Sequence, residues 1–556
     1  MNLSYWRRMI SPVLVFSLTF MIAAYYSVYD VDPHHDGAIF KPALDVSNGM
    51  MLYRDTFSQY GALFTLLTAA GLKIFGPYVL VLRLMAAFFY GLVGVMLWLL
   101  AKRLLPRWLA ALIILLWLGV AGYIGGWFLS WSSIYALFFQ LTAVYFLLRH
   151  QEAEEYERGQ KKHCPQWLVL AGLMAALAFW CRQPTGVLTL GTMMVFLSIR
   201  RLRPLPEWRQ AWIHVRTLLL GFVLGVLPIL GWIVLNGALK DWYLQNFVFG
   251  SLFMKNFGRL DDVIYLVRHL FPFFNLGGYQ PGSLLYGMLP VMNLAGLALL
   301  ARMMWRGEVL LGRDAVAYAI GLLSLASWPQ YYPFPDDGLH AYWAATPMMP
   351  MAAWLMWTGV ESARRRGWIP TRLTAAGVVM TGLLLLFGAR LIVVGNAALD
   401  NGRKDWVRVE QPQQLRGLVI SPQLAARYQY INDTLANYVS SHPQAVVISA
   451  HRENLQITFS PNARNFHPLT MDWSASGPWI VPNLYPKYYQ TLNQYVNQNK
   501  PLIIARPGLE LPAGYREIEV ISSYGNRDET IHLLAPIETQ TVSDVVSQQA
   551  AKEKRL

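Results

Sequence analysis

From Leu14 to about Val394 the chain is a succession of apolar runs, several near 20 residues long, separated by short clusters of Lys and Arg. A run of about 20 apolar residues matches the thickness of a bilayer core. Chains built this way cannot fold as soluble globules, because too little polar surface remains to cover them. Composition agrees. Hydrophobic residues make up 55% and charged residues 14%, against about 25% charged in soluble domains. Only the last 160 or so residues read as ordinary soluble protein. The first expectation is therefore an all-α polytopic membrane protein with a soluble C-terminal domain.

The basic clusters set the orientation. Arg7 and Arg8 precede the first apolar run, roughly Ile10 to Tyr26, which places the N-terminus in the cytoplasm. No small-residue cleavage site follows that run; Asp30-Val-Asp-Pro stands there instead, so it reads as an uncleaved helix. A polar outer segment runs from Asp30 to Tyr60. Ala62 to Phe75 is apolar but short, interrupted or bounded by Gly71, Lys73, Gly76 and Pro77, and reads as an interfacial helix. The next span, about Val79 to Leu100, returns to Lys102, Arg103 and Arg107. Further spans are expected near 108–122, 128–148, 166–181, 185–199, 213–235, 284–301, 315–328, 343–360 and 373–395, about eleven in all. Inner loops then carry Arg149, Arg158, Lys161 and Lys162, Arg200 to Arg209, Arg302 to Arg313, and Arg364 to Arg372, while the outer loops near 123–127 and 329–342 carry no Lys or Arg. That is the positive-inside pattern.

The net charge of +14 sits in these inter-helix clusters, where topology signals belong, so no nucleic-acid partner is expected. Cys164 lies in a basic loop and Cys181 at the end of an apolar run, giving neither a disulfide framework nor metal-ligand spacing. Parity puts Gly395 onward outside. Strand-like runs at 445–449, 501–505, 518–521 and 530–534, with helix-compatible stretches near 423–440 and 486–498, predict a small extracytoplasmic α/β domain. The expected organisation is a membrane domain over 1–395 with an outer loop at 30–61, an α/β domain over 396–540, and a polar disordered tail over 541–556.

Three stretches carry chemistry-bearing residues. The outer loop reads Asp32-Pro-His-His-Asp-Gly37, then Gly49-Met-Met-Leu-Tyr-Arg-Asp55, then Phe57-Ser-Gln-Tyr-Gly61. Its carboxylates are Asp30, Asp32, Asp36, Asp45 and Asp55, beside His34 and His35. Ionisable groups held between membrane helices are costly unless they serve a purpose; the plainer account is a solvated loop. Cys181-Arg-Gln-Pro-Thr-Gly186 lies at the outer junction of two apolar runs. Arg182 offers a planar cation suited to phosphate oxygens, and Pro184 and Gly186 are expected to break the helix and free N–H groups for an anion. The plainer account is a snorkelling arginine. Tyr331-Tyr-Pro-Phe-Pro-Asp-Asp-Gly-Leu-His340 sits in another outer loop, where Asp336, Asp337 and His340 are candidate contacts for an acceptor sugar or a lipid phosphate. The plainer account is an aromatic belt with a turn. Two Asp and one His are also donors for a divalent metal, but the spacing is not diagnostic, and no cofactor is expected.

The order of these outer-loop elements resembles the GT-C class of membrane glycosyltransferases, which includes protein O-mannosyltransferases and aminoarabinose transferases. The matching residues are Asp36, then Gly49, Tyr53 and Asp55, then Tyr60-Gly-Ala-Leu63, then Gly76 and Arg83. Gly37 stands where many members have Glu, and Gly61-Ala62 replaces Pro-Pro. The resemblance implies an inverting transferase of a bacterial inner membrane, moving a sugar from a polyprenyl-phosphate donor to an envelope glycan or glycolipid on the periplasmic face. It implies Asp36 and Asp55 as catalytic carboxylates, with His35, Tyr53, Tyr60 and Arg182 binding substrate. A phosphate leaving group needs no general acid; what remains is a base for the acceptor hydroxyl and positive charge for the departing phosphate. No GxGxxG or P-loop motif for a nucleotide donor is present. A transporter, flippase or polymerase of lipid-linked sugars is the alternative; transporters carry inverted repeats and mid-membrane charges, whereas the charges here gather in outer loops.

Overall fold

The structure is a computed structural model, and it describes residues 3–120, 123–124, 127–156, 165–199, 208–248, 283–331, 338–451, 455–464, 494–507, 513–522 and 530–537. The chain divides into two compact units, one of Met1–Val31 with Pro42–Ser421 and one of Asp32–Lys41 with Pro422–Leu556.

The first unit is helical. Its elements are α1 (Leu3–Ser27), α2 (His35–Ser47, shared with the second unit), α3 (Ala62–Phe75), α4 (Val79–Leu104), α5 (Arg107–Val120), α6 (Ser132–Tyr156), α7 (Gln166–Cys181), α8 (Gln183–Ser198), α9 (Trp208–Leu235), α10 (Leu239–Tyr243, continued by a π-turn over Leu244–Val248), α11 (Ser283–Trp305), α12 (Gly312–Tyr331), α13 (Gly338–Arg365) and α14 (Arg372–Arg403). Short antiparallel pairs join β1 (Tyr123–Ile124) to β2 (Trp127–Phe128) and β3 (Val407–Arg408) to β4 (Val419–Ile420).

Among the described residues four helices are long and apolar enough to cross a membrane: Val79–Leu104, Ser132–Glu154, Trp208–Leu235 and Met288–Trp305. Arg372–Gly388 and Arg390–Arg403, bent by 48°, make a fifth if taken as one span. Helices also stand at the other positions expected of the eleven, but they are shorter or more polar. Helix α5, at 14 residues, is roughly 21 Å long against a hydrocarbon core of roughly 30 Å. It is buried along Leu109, Ala110, Ile113, Ile114, Leu116 and Trp117, so neighbouring helices rather than lipid surround much of its length. The interfacial helix expected over Ala62 to Phe75 is α3.

Close approach in this bundle depends on small residues. A methyl on Gly172 of α7 would lie 2.0 Å from the Leu218 carbonyl of α9, and one on Gly221 of α9 would lie 2.1 Å from the Val169 carbonyl of α7. The two backbones therefore cross with nothing between them, the packing that membrane helices use where burial from water is not available as a driving force. Two buried hydrogen bonds link separate helices: Gln140 donates to Thr189 Oγ1 at 2.9 Å, and Trp117 Nε1 to Thr346 Oγ1 at 2.9 Å. Arg83, fully buried on α4, donates to the carbonyls of Tyr29 and Asp30 at 2.9 Å each, closing the chain just past the end of α1. The segment after α14 joins the same place, with Val419 N–H donating to Val28 O at 2.7 Å and Asp30 N–H to Val419 O at 2.9 Å. That pairing keeps residues up to Ser421 in the membrane unit, past the Gly395 expected as its end.

The second unit contains α15 (Pro422–Ser441), β5 (Val447–Ala450), β6 (Leu502–Ala505), β7 (Tyr515–Ile521) and β8 (Ile531–Pro536). These agree with the four strand-like runs and with the helix-compatible stretch near 423–440, whereas most of the stretch near 486–498 and the whole tail over 541–556 lie outside the described residues. The sheet order is β5-β6-β8-β7, with β5 and β6 parallel and the other pairs antiparallel. Strand β6 is buried at every position, as its unbroken apolar run requires. Edge strand β7 carries Arg516, Glu517 and Glu519, charges that discourage pairing with another chain. Helix α15 buries Leu424, Tyr428, Ile431 and Leu435, one apolar stripe at helical spacing. Residues 32–41 belong here: Leu455 N–H donates to Pro33 O at 3.0 Å, and buried Lys41 donates through Nζ to Ala463 O at 2.9 Å. The outer segment Asp30 to Tyr60, expected as one polar loop, is thus divided between the units and holds a helix, α2.

Candidate active site

Within the first unit, the loop after α2 is built around Tyr53. Its φ of +70° is a left-handed conformation rare for a bulky residue. Burial keeps it there: Tyr53 is 2% exposed, and its hydroxyl donates to Tyr60 O at 2.8 Å. Tyr53 was expected to touch substrate; here its hydroxyl is engaged in shaping the turn that presents Tyr60. Gln245, on the π-turn after α10, bridges the same loop. It donates to Tyr53 O at 2.7 Å and accepts from Ser58 N–H at 3.1 Å.

Asp55 is also engaged. Arg54 grips it with two N–H groups at 2.8 and 2.9 Å, and the Met51 N–H donates to Asp55 Oδ2 at 2.8 Å. Hydrogen bonding to the Asp55 carboxylate in turn raises the pKa of Arg54. Asp45, buried, accepts from the Thr56 hydroxyl at 2.7 Å. Both carboxylates brace the loop.

Helix α7 ends at Cys181 and α8 begins at Gln183, so the break is a single extended residue, Arg182 (φ −155°, ψ 106°). Pro184 falls in the first turn of α8, where its missing N–H costs nothing. The expected helix break therefore lies at Arg182 itself, and Gly186 continues α8. Partly buried, Arg182 donates through Nη1 to Ser133 Oγ, at the start of α6, at 2.6 Å. No carboxylate pairs with it among the described residues. The Tyr60 phenol lies within electrostatic reach.

Gly61 explains that juxtaposition. Its N–H donates to Cys181 O at 3.3 Å, and a methyl in place of its hydrogen would lie 2.1 Å from the Trp180 carbonyl. The loop can rest on the α7–α8 junction only because position 61 has no side chain. Around Arg182 the first turn of α6 is rich in hydroxyls. Ser130 and Tyr135, both buried, face each other without hydrogen-bond geometry, and buried Ser132 Oγ has no protein partner among the described residues. Gln183 donates to Asn246 Oδ1 at 2.5 Å, tying α8 to the π-turn. The structure thus brings Tyr53, Asp55, Tyr60 and Arg182 into one unit and adds Ser132, Ser133 and Gln245. The run Ser130-Trp-Ser-Ser133 at the mouth of an apolar span was the available sequence signal for the serines.

His35 and Asp36 lie in the second unit, at the start of α2. Asp32 caps that helix: its Oδ1 accepts the His34 and His35 N–H groups at 3.0 and 2.9 Å. Asp36, 1% exposed, reaches back to accept the Asp32 N–H at 2.9 Å, and the helix N-terminus favours its negative charge. His35 Nδ1 meets Asp32 Oδ2 at 2.8 Å. Burial alone would raise the pKa of Asp32, but the hydrogen bond and charge of His35 outweigh it and hold the carboxyl below its usual range. Asp336 and Asp337 lie outside the described residues, as does the side chain of His340, which belongs to the first turn of α13.

Residues 61–232 match the model of the family described as dolichyl-phosphate-mannose-protein mannosyltransferase. Comparison with curated protein sequences gives no match. The apo oligosaccharyltransferase of Archaeoglobus fulgidus superposes with a TM-score of 0.53 at 11% identity, over 90% of this chain and 70% of that one. The same archaeal enzyme in complex with an inhibitory peptide and a dolichol-phosphate gives 0.50 at 12% identity, over 91% and 70%. The arabinofuranosyltransferase AftD from mycobacteria gives 0.50 at 12% identity, over 95% of this chain and 40% of that one. With its membrane-crossing helices, the loop over residues 53–61 seated on a broken helix pair and a small C-terminal sheet, the chain is a polytopic membrane protein with the fold of the GT-C glycosyltransferases.

Proposed function

We propose that the protein is an inverting glycosyltransferase that takes one sugar from a polyprenyl-phosphate carrier. It passes the sugar to a hydroxyl of an envelope glycan or lipid-linked glycan on the periplasmic face of a bacterial inner membrane. The observation that carries this is Arg182. An arginine held at a one-residue break between two helices, beside Ser133 and the Tyr60 phenol and with no carboxylate partner among the described residues, supports a phosphate-binding role. The N-terminus of α8 adds its dipole at the same point.

In the transfer, the acceptor oxygen forms a bond to the anomeric carbon while the bond from that carbon to the phosphate oxygen breaks. The electron pair leaves with the phosphate, which stays on the lipid. Arg182 holds the charge that develops there, and the Ser132 and Ser133 hydroxyls can add hydrogen bonds as it grows. The acceptor proton passes to a carboxylate base. Asp36 takes that role by its match to the family motif, Asp55 keeps the loop in register through Arg54 and Met51, and Tyr60 offers a ring and a phenol to the sugar. The archaeal relative bound to a dolichol-phosphate and the mannosyltransferase match over residues 61–232 favour a lipid-phosphate donor. The test is a transfer assay with membranes from cells with and without the protein, using a panel of polyprenyl-phosphate sugars. Transfer of one of them, with inversion at the anomeric carbon, is expected; movement of intact lipid-linked sugar across the bilayer without transfer marks a flippase instead.

A further inference from the structure

We infer that His150, Glu154 and His214 form a binding site for a divalent transition-metal ion of the zinc class, separate from the sugar-transfer site. His150 and Glu154 are four residues apart on α6, which puts them on one helix face. His214 comes from α9. His150 Nε2 lies 3.3 Å from Glu154 Oε1, and His214 Nε2 lies 3.0 Å from the same oxygen. The two imidazoles meet edge to face, with centroids 4.9 Å apart at 82°. All the candidate ligand atoms fall within 4.8 Å of one another. His150 is fully buried and His214 nearly so, while the Glu154 side chain is 23% exposed.

Zinc bonds to imidazole nitrogen and carboxylate oxygen are about 2.0–2.2 Å long, so ligand atoms on a tetrahedral ion stand roughly 3.3 Å apart. The two separations seen here are already at that spacing. Two imidazoles and one carboxylate also form a donor set that suits Zn²⁺, Co²⁺ or Ni²⁺. It does not suit Mg²⁺ or Ca²⁺, which take oxygen ligands. Three protein ligands leave coordination positions for water or a further group. Along α6, His150 is 17 residues from Ser133, roughly 26 Å, too far for the ion to touch a substrate held at Arg182. The neighbouring carboxylate on α6 is used differently. Glu152 pairs with Arg103 at 2.7 Å and with Arg149 at 3.1 Å, so this helix end carries one carboxylate for arginines and one for histidines. The ion's effect is to fasten α6 to α9, which pack on either side of α7. Its removal is expected to lower stability.

The test uses the full-length protein in detergent, purified through a histidine-free tag, stripped with a chelator, and dialysed against Zn²⁺ or Co²⁺. About one ion per chain should bind, Co²⁺ should give the intense visible bands of a tetrahedral site, and Zn²⁺ should raise the thermal midpoint. His214→Ala should weaken binding by more than the 10–100-fold that loss of a supporting outer-shell group costs. Glu154→Gln, which keeps the side-chain shape, gives the same readout if His214→Ala does not fold. No uptake by the stripped wild type overturns the inference, and so does equal uptake and equal spectra in the wild type and a folded variant.

Discussion

Gly61→Ala tests whether seating the loop over residues 53–61 on the α7–α8 junction matters for activity. The new methyl carbon would fall 2.1 Å from the Trp180 carbonyl, where such contacts stop at about 3.0 Å, so the loop must retreat by about 0.9 Å. Neither neighbour yields easily. The Trp180 carbonyl belongs to the last turn of α7, and on the loop side the Tyr53 hydroxyl holds Tyr60 O at 2.8 Å. Tyr60 then moves relative to Arg182. Misplacement on the scale of 1 Å can cost about 10²-fold in rate, and that is the fall in turnover expected, with expression and detergent behaviour close to wild type. Gly231→Ala is the control, because a methyl there meets nothing within 4 Å. The assay is sugar transfer by membranes matched for protein content. A Gly61→Ala rate within a factor of two of wild type would show that the loop's position against Arg182 does not govern the reaction.

Three further outcomes are expected. Arg182→Ala should lower turnover by about 10²–10³, the scale of one lost oxyanion donor, while Arg182→Lys keeps part of the rate; wild-type turnover in the alanine variant makes Arg182 a snorkelling residue. Asp55→Asn should cost less than about tenfold, since an exposed ion pair contributes little, and a loss as deep as that of a catalytic base in the same transfer assay would move the base from Asp36 to Asp55. Burial pushes the buried His451 in the C-terminal unit down to about 4, and the positive charge of Arg427 adds to this. The unfolded chain therefore takes up the proton first, and stability is lost as pH falls from about 6.5 to 4, by about 3 kcal/mol at 1.36 kcal/mol per pKa unit. Thermal midpoints across that range should fall in the wild type and stay flatter in His451→Gln.

The sequence made the one-dimensional features legible. Apolar run length marked α3 and α4, and the alternation of apolar strands with a helix marked β5, β6, β7, β8 and α15. It did not show that β6 pairs with β8 rather than β7, because partner choice depends on packing between segments far apart in the chain. Helix α2 was hidden because its apolar residues are interrupted by His35, Asp36, Lys41 and Asp45 and by Pro42, and because its cap, Asp32, looked like one more loop carboxylate. Arg182 was visible as a charge between two apolar runs, but its contact with Ser133 joins separate helices and leaves no local signature. Gly61 was noted only as a departure from Pro-Pro; the reason for it, a backbone carbonyl 2.1 Å from where a side chain would begin, exists only in three dimensions. His150 and Glu154 share a helix face that four-residue spacing announces, whereas His214 joins them through the packing of α7 between α6 and α9.

Asp36→Asn is the measurement that reaches the central claim most directly. It keeps the volume of a buried side chain and an oxygen for the Asp32 N–H, yet removes the carboxylate proposed to take the acceptor proton. Transfer from a polyprenyl-phosphate sugar, followed with labelled donor, should fall by about 10²–10⁴, the range for a positioned base, while donor-lipid binding and the thermal midpoint hold near wild type. Near-normal transfer in Asp36→Asn, or no transfer by the wild type from any polyprenyl-phosphate sugar, would contradict the account.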